Sequence, residues 1–190
     1  MRRVLLVVFA LAVVLQWAVP LASIREREKI LREGVVIKIP CRAPDPYDPL
    51  RGRYLAIEPL ETLLPEHFGT GFKKNRQVFA LLQLGEDGLH HVQSLQASEP
   101  SSSSNNAELY IPVSVSQYFG KPKQTRIQWP ISRFYVNENI APAADEWLRK
   151  NTRHSKTVVA EAHLLQGEVV LSDISLDGKS FRESLKENGH

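Results

Sequence analysis

The sequence has a single cysteine, Cys41, among its 190 residues. One cysteine excludes an internal disulfide, and it also excludes a zinc site built from several thiolates. Cys41 lies well past the hydrophobic N-terminal segment, with a charged stretch between them, so it is not placed as a lipoprotein cysteine. We therefore expect Cys41 to be a small residue at the end of a strand rather than a reactive thiol.

The sequence also lacks a strong excess of charge. The formal net charge is +3, and Arg2 and Arg3 supply two of the 24 basic residues, which leaves 22 against 21 acidic ones. A nearly neutral domain has no basic field with which to hold a phosphate backbone. We therefore expect no nucleic-acid partner.

Motifs for metals and phosphates are absent. The sequence contains no His-Glu-x-x-His pattern and no glycine-rich phosphate loop. The adjacent pair His90 and His91 lies in a predicted strand, where neighbouring side chains point to opposite faces, so the two rings are poorly placed to share one metal ion. We predict neither a metal nor a cofactor.

A long apolar run follows the basic start of the chain. Residues 4–22 are almost entirely apolar, and 19 helical residues span about 28 Å, close to the ~30 Å hydrocarbon core of a membrane. Trp17 falls near the far end, where interfacial aromatics sit. A cleaved signal peptide is the alternative, but Pro20 would occupy a position that needs a small residue. We predict an uncleaved signal anchor that leaves the C-terminal domain outside the cytoplasm.

The remaining chain reads as a charged stalk and one domain. Residues 23–33 predict a helix that continues from the membrane and ends at Gly34. We therefore divide the chain into an anchor with its stalk, residues 1–33, and an extracytoplasmic domain, residues 34–190.

Alternating apolar residues in this domain predict eight to ten short strands. Pro142 and the charges around it predict one main helix over residues 141–150. A short helix or turn is expected over 60–68, and residues 98–106 are expected to be a mobile polar loop. Tight turns between successive strands imply an α+β fold, with a mostly antiparallel, barrel-like β domain. The predicted strands cover residues 35–39, 54–58, 76–84, 89–95, 109–115, 125–129, 131–136, 157–165 and 169–176. The segments 125–129 and 131–136 are either two strands or one bent strand interrupted by Pro130.

A proline- and aspartate-rich run over residues 44–57 resembles the signature of the GDYXXLXY protein family. Gly52 and Tyr54 match the eponymous motif, whereas Arg53 replaces its aspartate. The Arg-Phe-Tyr-Val segment at 133–136 resembles a second family block. The resemblance implies a membrane-anchored bacterial protein, in a family without an assigned biochemical activity.

The proline-stiffened loop is the predicted functional site. Asp45 and Asp48 beside Arg51 suit either a hard cation or an acid–base pair. The same residues also suit a purely structural role, in which Asp-Pro steps cap turns and Arg51 bridges to a carboxylate, and we favour that role. The candidate residues, with those of the two family blocks, are Asp45, Asp48, Arg51, Gly52, Tyr54, Arg133 and Tyr135.

These features predict an accessory or interaction module that works beside another membrane protein. The alternative is a ligand-binding or hydrolytic domain that uses the Asp45/Asp48/Arg51 loop with Arg133. The sequence favours a protein that is not an enzyme, because it lacks a catalytic constellation. Its larger aromatics are expected in the core rather than at an interface; they are Trp129, Phe134, Tyr135 and Trp147.

Overall fold

A single long helix, α1 (Arg2–Glu33), opens the chain in a computed structural model. The structure describes residues 2–42, 54–69, 72–100, 109–116, 124–137, 146, 158–176, 178–181 and 183–184. The part Leu6–Glu33 has a mean hydropathy of 2.2 in its apolar window, and 0% of that window is buried. By length and composition, α1 is therefore compatible with one membrane crossing.

The C-terminal end of α1 is attached to the domain. Gly34 N–H donates a hydrogen bond to the Ile30 carbonyl over 2.8 Å, which closes the last turn of the helix. The Ile30 side chain is only 4% exposed, because it packs against the sheet. The predicted helical stalk over residues 23–33 is confirmed, and it runs on from the apolar segment without a break.

Twelve strands and one 3-10 helix (Glu66–Phe68) follow within the described residues. Adjacent strands in the three sheets they form all pair antiparallel. The strands are β1 (Val35–Arg42), β2 (Tyr54–Ala56), β3 (Glu58–Pro59), β4 (Leu63–Pro65), β5 (Gln77–Leu84), β6 (His90–Gln96), β7 (Leu109–Ser116), β8 (Gln124–Gln128), β9 (Arg133–Tyr135), β10 (Val158–Leu165), β11 (Glu168–Leu176) and β12 (Lys179–Ser180).

The strands form two five-stranded sheets and one small two-stranded sheet. One large sheet has the order β12-β11-β10-β1-β3, the other has the order β4-β8-β7-β5-β6, and β2 pairs with β9. The predicted α+β class with a mostly antiparallel, barrel-like β domain is confirmed, and the sheet observed is a half-barrel.

The two large sheets share one apolar core, which follows from the alternation of their strands. On β10 every second residue is buried, from Val158 to Leu164, while Glu161 and His163 are only partly buried. β1 contributes Ile37, Ile39 and Cys41 to the same core.

Several predicted boundaries differ from the structure. The strand predicted over 54–58 is two strands, β2 and β3, in different sheets, and the helix or turn predicted over 60–68 contains β4 as well as the 3-10 helix. β1 runs on through Pro40 to Arg42, beyond the strand predicted over 35–39. The helix predicted over 141–150 lies outside the described residues except for Glu146, which is helical, and the polar loop over 98–106 is described only to residue 100.

Candidate functional site

Three of the seven predicted site residues lie in the described structure, and they meet on the small sheet. Tyr54 begins β2, directly after the predicted loop, while Arg133 and Tyr135 lie at the two ends of β9. The other four, Asp45, Asp48, Arg51 and Gly52, lie outside the described residues.

Pairing of β2 with β9 brings these three residues together. Tyr54 is the direct partner of Tyr135, and their ring centroids are 6.0 Å apart. The Arg133 guanidinium carbon lies 5.1 Å from the centroid of the Tyr54 ring, a cation–π distance. Family blocks about 80 residues apart in the sequence therefore form one cluster, which we call the aromatic ledge (Tyr54, Arg133 and Tyr135).

The ledge faces outward because its strands alternate. Leu55 and Phe134 pair across the same two strands and are 1% and 6% exposed, so they point into the core. Tyr135 is 68% exposed. The expectation of a core position is therefore wrong for Tyr135, whereas it is confirmed for Phe134 and for Trp129, which is 6% exposed. Trp147 lies outside the described residues.

A groove of about 690 Å³ borders the ledge on the side of the stalk. One wall is the C-terminal part of α1, and the others are the first half of β11 and the segment that leads into β9. We call it the stalk groove. Its side chains come from α1 (Ser23, Glu26, Arg27, Ile30), from Pro130 to Tyr135 and from Glu168 to Ser172.

A β-bulge shapes the β11 wall of this groove. Glu161 pairs with Asp173 and Ala162 pairs with Leu171, so Ser172 is an extra residue in β11. The Ser172 hydroxyl donates a hydrogen bond to the Glu161 carbonyl over 3.1 Å. Bulges bend a strand locally, and they are common beside binding sites.

The floor and the rim of the stalk groove differ in chemistry. Ile30, Ile131 and Phe134 are all buried and give the floor an apolar character. The rim carries charged side chains of both signs, all of them exposed: Glu26, Arg27, Arg133 and Glu168.

A polar cluster that the sequence did not predict surrounds His91. Nδ1 of His91 lies 2.6 Å from a Glu61 carboxylate oxygen, and Nε2 lies 3.0 Å from an Asp87 oxygen. The second Glu61 oxygen accepts a hydrogen bond from Val92 N–H over 2.7 Å. Hydrogen bonds, first to Glu61 and then to Asp87, raise the pKa of His91. The opposite faces of His90 and His91 were predictable from alternation, but nothing local pointed to Glu61.

Within the described ranges, no group of three His, Cys, Asp or Glu side chains is arranged to hold a metal ion. The Glu61–His91–Asp87 cluster instead uses both imidazole nitrogens in contacts with carboxylates. That arrangement favours the protonated ring, in which both nitrogens are donors.

Comparisons with known proteins place the chain in one family. No curated protein and no solved structure matches it. The model of the family described as GDYXXLXY protein matches residues 16–174, which cover most of the chain and include both blocks that meet in the aromatic ledge. The chain belongs to the GDYXXLXY protein family.

Proposed function

We propose that this protein is a membrane-anchored interaction module, with its domain outside the cytoplasm and the aromatic ledge as its docking surface for another membrane protein. The observation that carries the proposal is the exposure of Tyr135, at 68%, beside Tyr54 and Arg133. Tyrosine and arginine are enriched among the residues that dominate binding energy at interfaces.

The position of the domain supports this proposal. Eleven residues, 23–33, lie between Ala22 at the end of the apolar run and Gly34, and the helical rise from Ala22 to Gly34 is about 18 Å. Since Ile30 packs onto the sheet and β1 starts at Val35, there is no long linker between helix and domain. The ledge is thereby kept within reach of a neighbouring membrane protein.

The predicted loop extends the same surface in our proposal. Asp45, Asp48, Arg51 and Gly52 precede Tyr54, the first residue of β2, by at most nine residues in the sequence. Carboxylates and a guanidinium at the edge of an aromatic patch would set partner choice and association rate more than affinity.

Site-specific photo-crosslinking in native membranes tests the proposal. A photoreactive residue replaces Tyr135, and a matched probe replaces Leu84, which is also exposed at 60% but lies on β5 in another sheet. We expect a discrete adduct with one membrane protein from position 135 only, which is weakened by Asp45→Ala/Asp48→Ala/Arg51→Ala. The same adducts from both positions, or none from 135, would contradict a docking role.

The location of the domain has its own test. Trypsin added to intact cells should cleave the exposed stalk at Arg27 or Lys29 if the domain lies outside the cytoplasm. Cleavage that occurs only after the cytoplasmic membrane is opened would reverse this orientation.

The alternative function, a ligand-binding or hydrolytic domain, is favoured by one observation. Arg133 and Tyr135 border the stalk groove, whose volume of about 690 Å³ lies in the range of small-molecule sites. Under this alternative the Asp45/Asp48/Arg51 loop would act on a ligand held there. A hydrolytic activity that is lost in the triple alanine variant would favour it over docking.

A further inference from the structure

The stalk groove begins at the depth where a membrane anchor would meet lipid headgroups. Its first lining residue, Ser23, directly follows the apolar run of α1. A bilayer of about 40–45 Å with a core of about 30 Å leaves roughly 5–8 Å of headgroup layer on each side. The rise from Ser23 to Arg27 is about 6 Å, so these two residues bracket that layer.

The groove has the size and polarity of a site for an amphipathic small molecule. Its volume is about 690 Å³, within the usual range of roughly 300–1,000 Å³ for small-molecule sites. Ile30, Ile131 and Phe134 line it as buried apolar residues.

The charged side chains on the rim match a ligand that carries one negative and one positive group. Arg27 and Arg133 are the cations, and Glu26 and Glu168 are the anions. In the described part of the chain, no salt bridge occupies any of these four side chains. Guanidinium groups bind phosphate through paired hydrogen bonds, and carboxylates accept hydrogen bonds from a primary ammonium.

We infer that the stalk groove binds the headgroup of a phospholipid that joins a phosphodiester to a primary ammonium, as phosphatidylethanolamine does. Arg27 and Arg133 hold the phosphate, and Glu168 with Glu26 holds the ammonium. The exposed ring of Tyr135 adds a face on which a cation is attracted. The groove shares Arg133 and Tyr135 with the aromatic ledge, but Arg27 and Glu168 lie outside the ledge, so lipid binding can be tested apart from docking.

Native mass spectrometry of the full-length protein in detergent tests the inference. Phosphatidylethanolamine, phosphatidylglycerol and phosphatidylcholine of identical acyl chains are titrated separately. We expect phosphatidylethanolamine to bind at least about tenfold more tightly than the other two lipids. Phosphatidylglycerol lacks the ammonium, and the quaternary ammonium of phosphatidylcholine cannot donate hydrogen bonds. Arg27→Gln and Arg133→Gln should each weaken its binding about tenfold.

Glu168→Gln should remove the preference for ethanolamine over glycerol while leaving the phosphate contacts. Arg76→Gln and Glu86→Gln are matched controls, because both residues are exposed and neither lines the groove. Equal binding of the three lipids, or equal losses in the control variants, would overturn the inference. Displacement of the lipid by soluble glycerophosphoethanolamine at equal concentration would also overturn it, because the site would then recognise the free headgroup rather than the lipid.

The lipid result and the crosslinking result are separable. Arg27→Gln and Glu168→Gln change groove residues that lie outside the aromatic ledge, so both variants should leave the Tyr135 crosslink in place. Loss of lipid binding with an intact crosslink supports lipid binding in the groove that is independent of docking. Absence of the crosslink with normal lipid binding contradicts docking only.

Discussion

The main-chain N–H of Lys38 donates a hydrogen bond to Nδ1 of His90 over 3.1 Å. Lys38 lies on β1 and His90 on the edge strand β6, so this contact joins the two large sheets across 52 residues of sequence. Nδ1 accepts this bond only while it is unprotonated. Burial lowers the pKa of His90, which keeps the ring neutral.

Replacing His90 should therefore weaken the contact between the sheets. His90→Ala leaves the Lys38 N–H without its acceptor, and an unsatisfied buried donor costs about 1–3 kcal/mol. We expect the melting temperature of the full-length protein in detergent to fall by roughly 2–12 °C. His90→Asn places an oxygen near the position of Nδ1, so its melting temperature should fall by about half as much as that of His90→Ala. Equal losses in the two variants would mean that packing, rather than the hydrogen bond, joins the sheets.

His91 should give the opposite pH dependence from its neighbour. Because the pKa of His91 is raised in the folded state, the stability that His91 contributes is fully present below the ordinary histidine pKa of about 6.5. The contribution is lost as pH rises through the raised folded value. His91→Gln should thus lower the melting temperature most at about pH 5.5 and least at about pH 8.5. The side chain is 39% exposed, so we expect no more than about 1 kcal/mol, or roughly 2–4 °C.

A double-mutant cycle with Glu61→Gln assigns this effect to the carboxylate. The amide keeps an oxygen for Val92 N–H but removes the charge that faces Nδ1. In the Glu61→Gln background, His91→Gln should reduce the stability of the fold much less at low pH than it does in the wild-type protein. An unchanged cost would trace the effect to Asp87, whose pKa is lowered by the hydrogen bond from Leu89 N–H and then by His91. His90, with its lowered pKa, contributes in the opposite direction: its stabilising effect is lost as pH falls below about 6.5.

Alternation predicted the long strands well, because each covers one face of a core. β5, β10 and β11 lie within a few residues of their predicted ranges. The short strands were harder, since three residues carry too little pattern. Trp129 to Ser132 separate β8 from β9, and no local signal indicates that these neighbours belong to different sheets.

The candidate site was predicted in part. The family blocks led to Tyr54, Arg133 and Tyr135, and the structure brings these three together. The stalk groove was not predicted, because Arg27 and Glu168 are charged residues on regular elements, and such residues usually just face solvent. The packing of the C-terminal part of α1, including Ile30, on the sheet places α1 beside β11, and that packing is a tertiary contact.

Gly34 should be intolerant of any side chain. A Cβ added there would lie 2.5 Å from the Ile30 carbonyl oxygen and 3.2 Å from the His163 Cβ. Since the nearest atom is backbone, Gly34→Ala must displace either the last turn of α1 or β10. Overpacking of this kind costs about 1–3 kcal/mol. We expect a lower melting temperature, and faster tryptic cleavage in the stalk at Arg27, Lys29 or Arg32.

Gly88→Ala is the matched control for Gly34→Ala. Gly88 has a φ of +75°, but an added Cβ would meet nothing within 4 Å. The backbone strain of Gly88→Ala is confined to the β5–β6 turn, so this variant should leave tryptic cleavage of the stalk unchanged. If both variants accelerate cleavage equally, the junction of helix and domain is not specifically sensitive to Gly34.

Cys41 should be chemically silent in the folded protein. Its side chain is 0% exposed, and burial raises the pKa of the thiol to about 12. Because the thiolate is the reactive form, a disulfide reagent at about pH 8 should fail to label the native protein and label it fully after denaturation. Lys74→Cys in a Cys41→Ala background is the positive control, since Lys74 is exposed. Cys41 lies between β10 and β3, so any slow labelling in mild denaturant would measure the opening of that sheet. Rapid labelling of the native protein would contradict the buried position of Cys41 and revive a reactive role for this thiol.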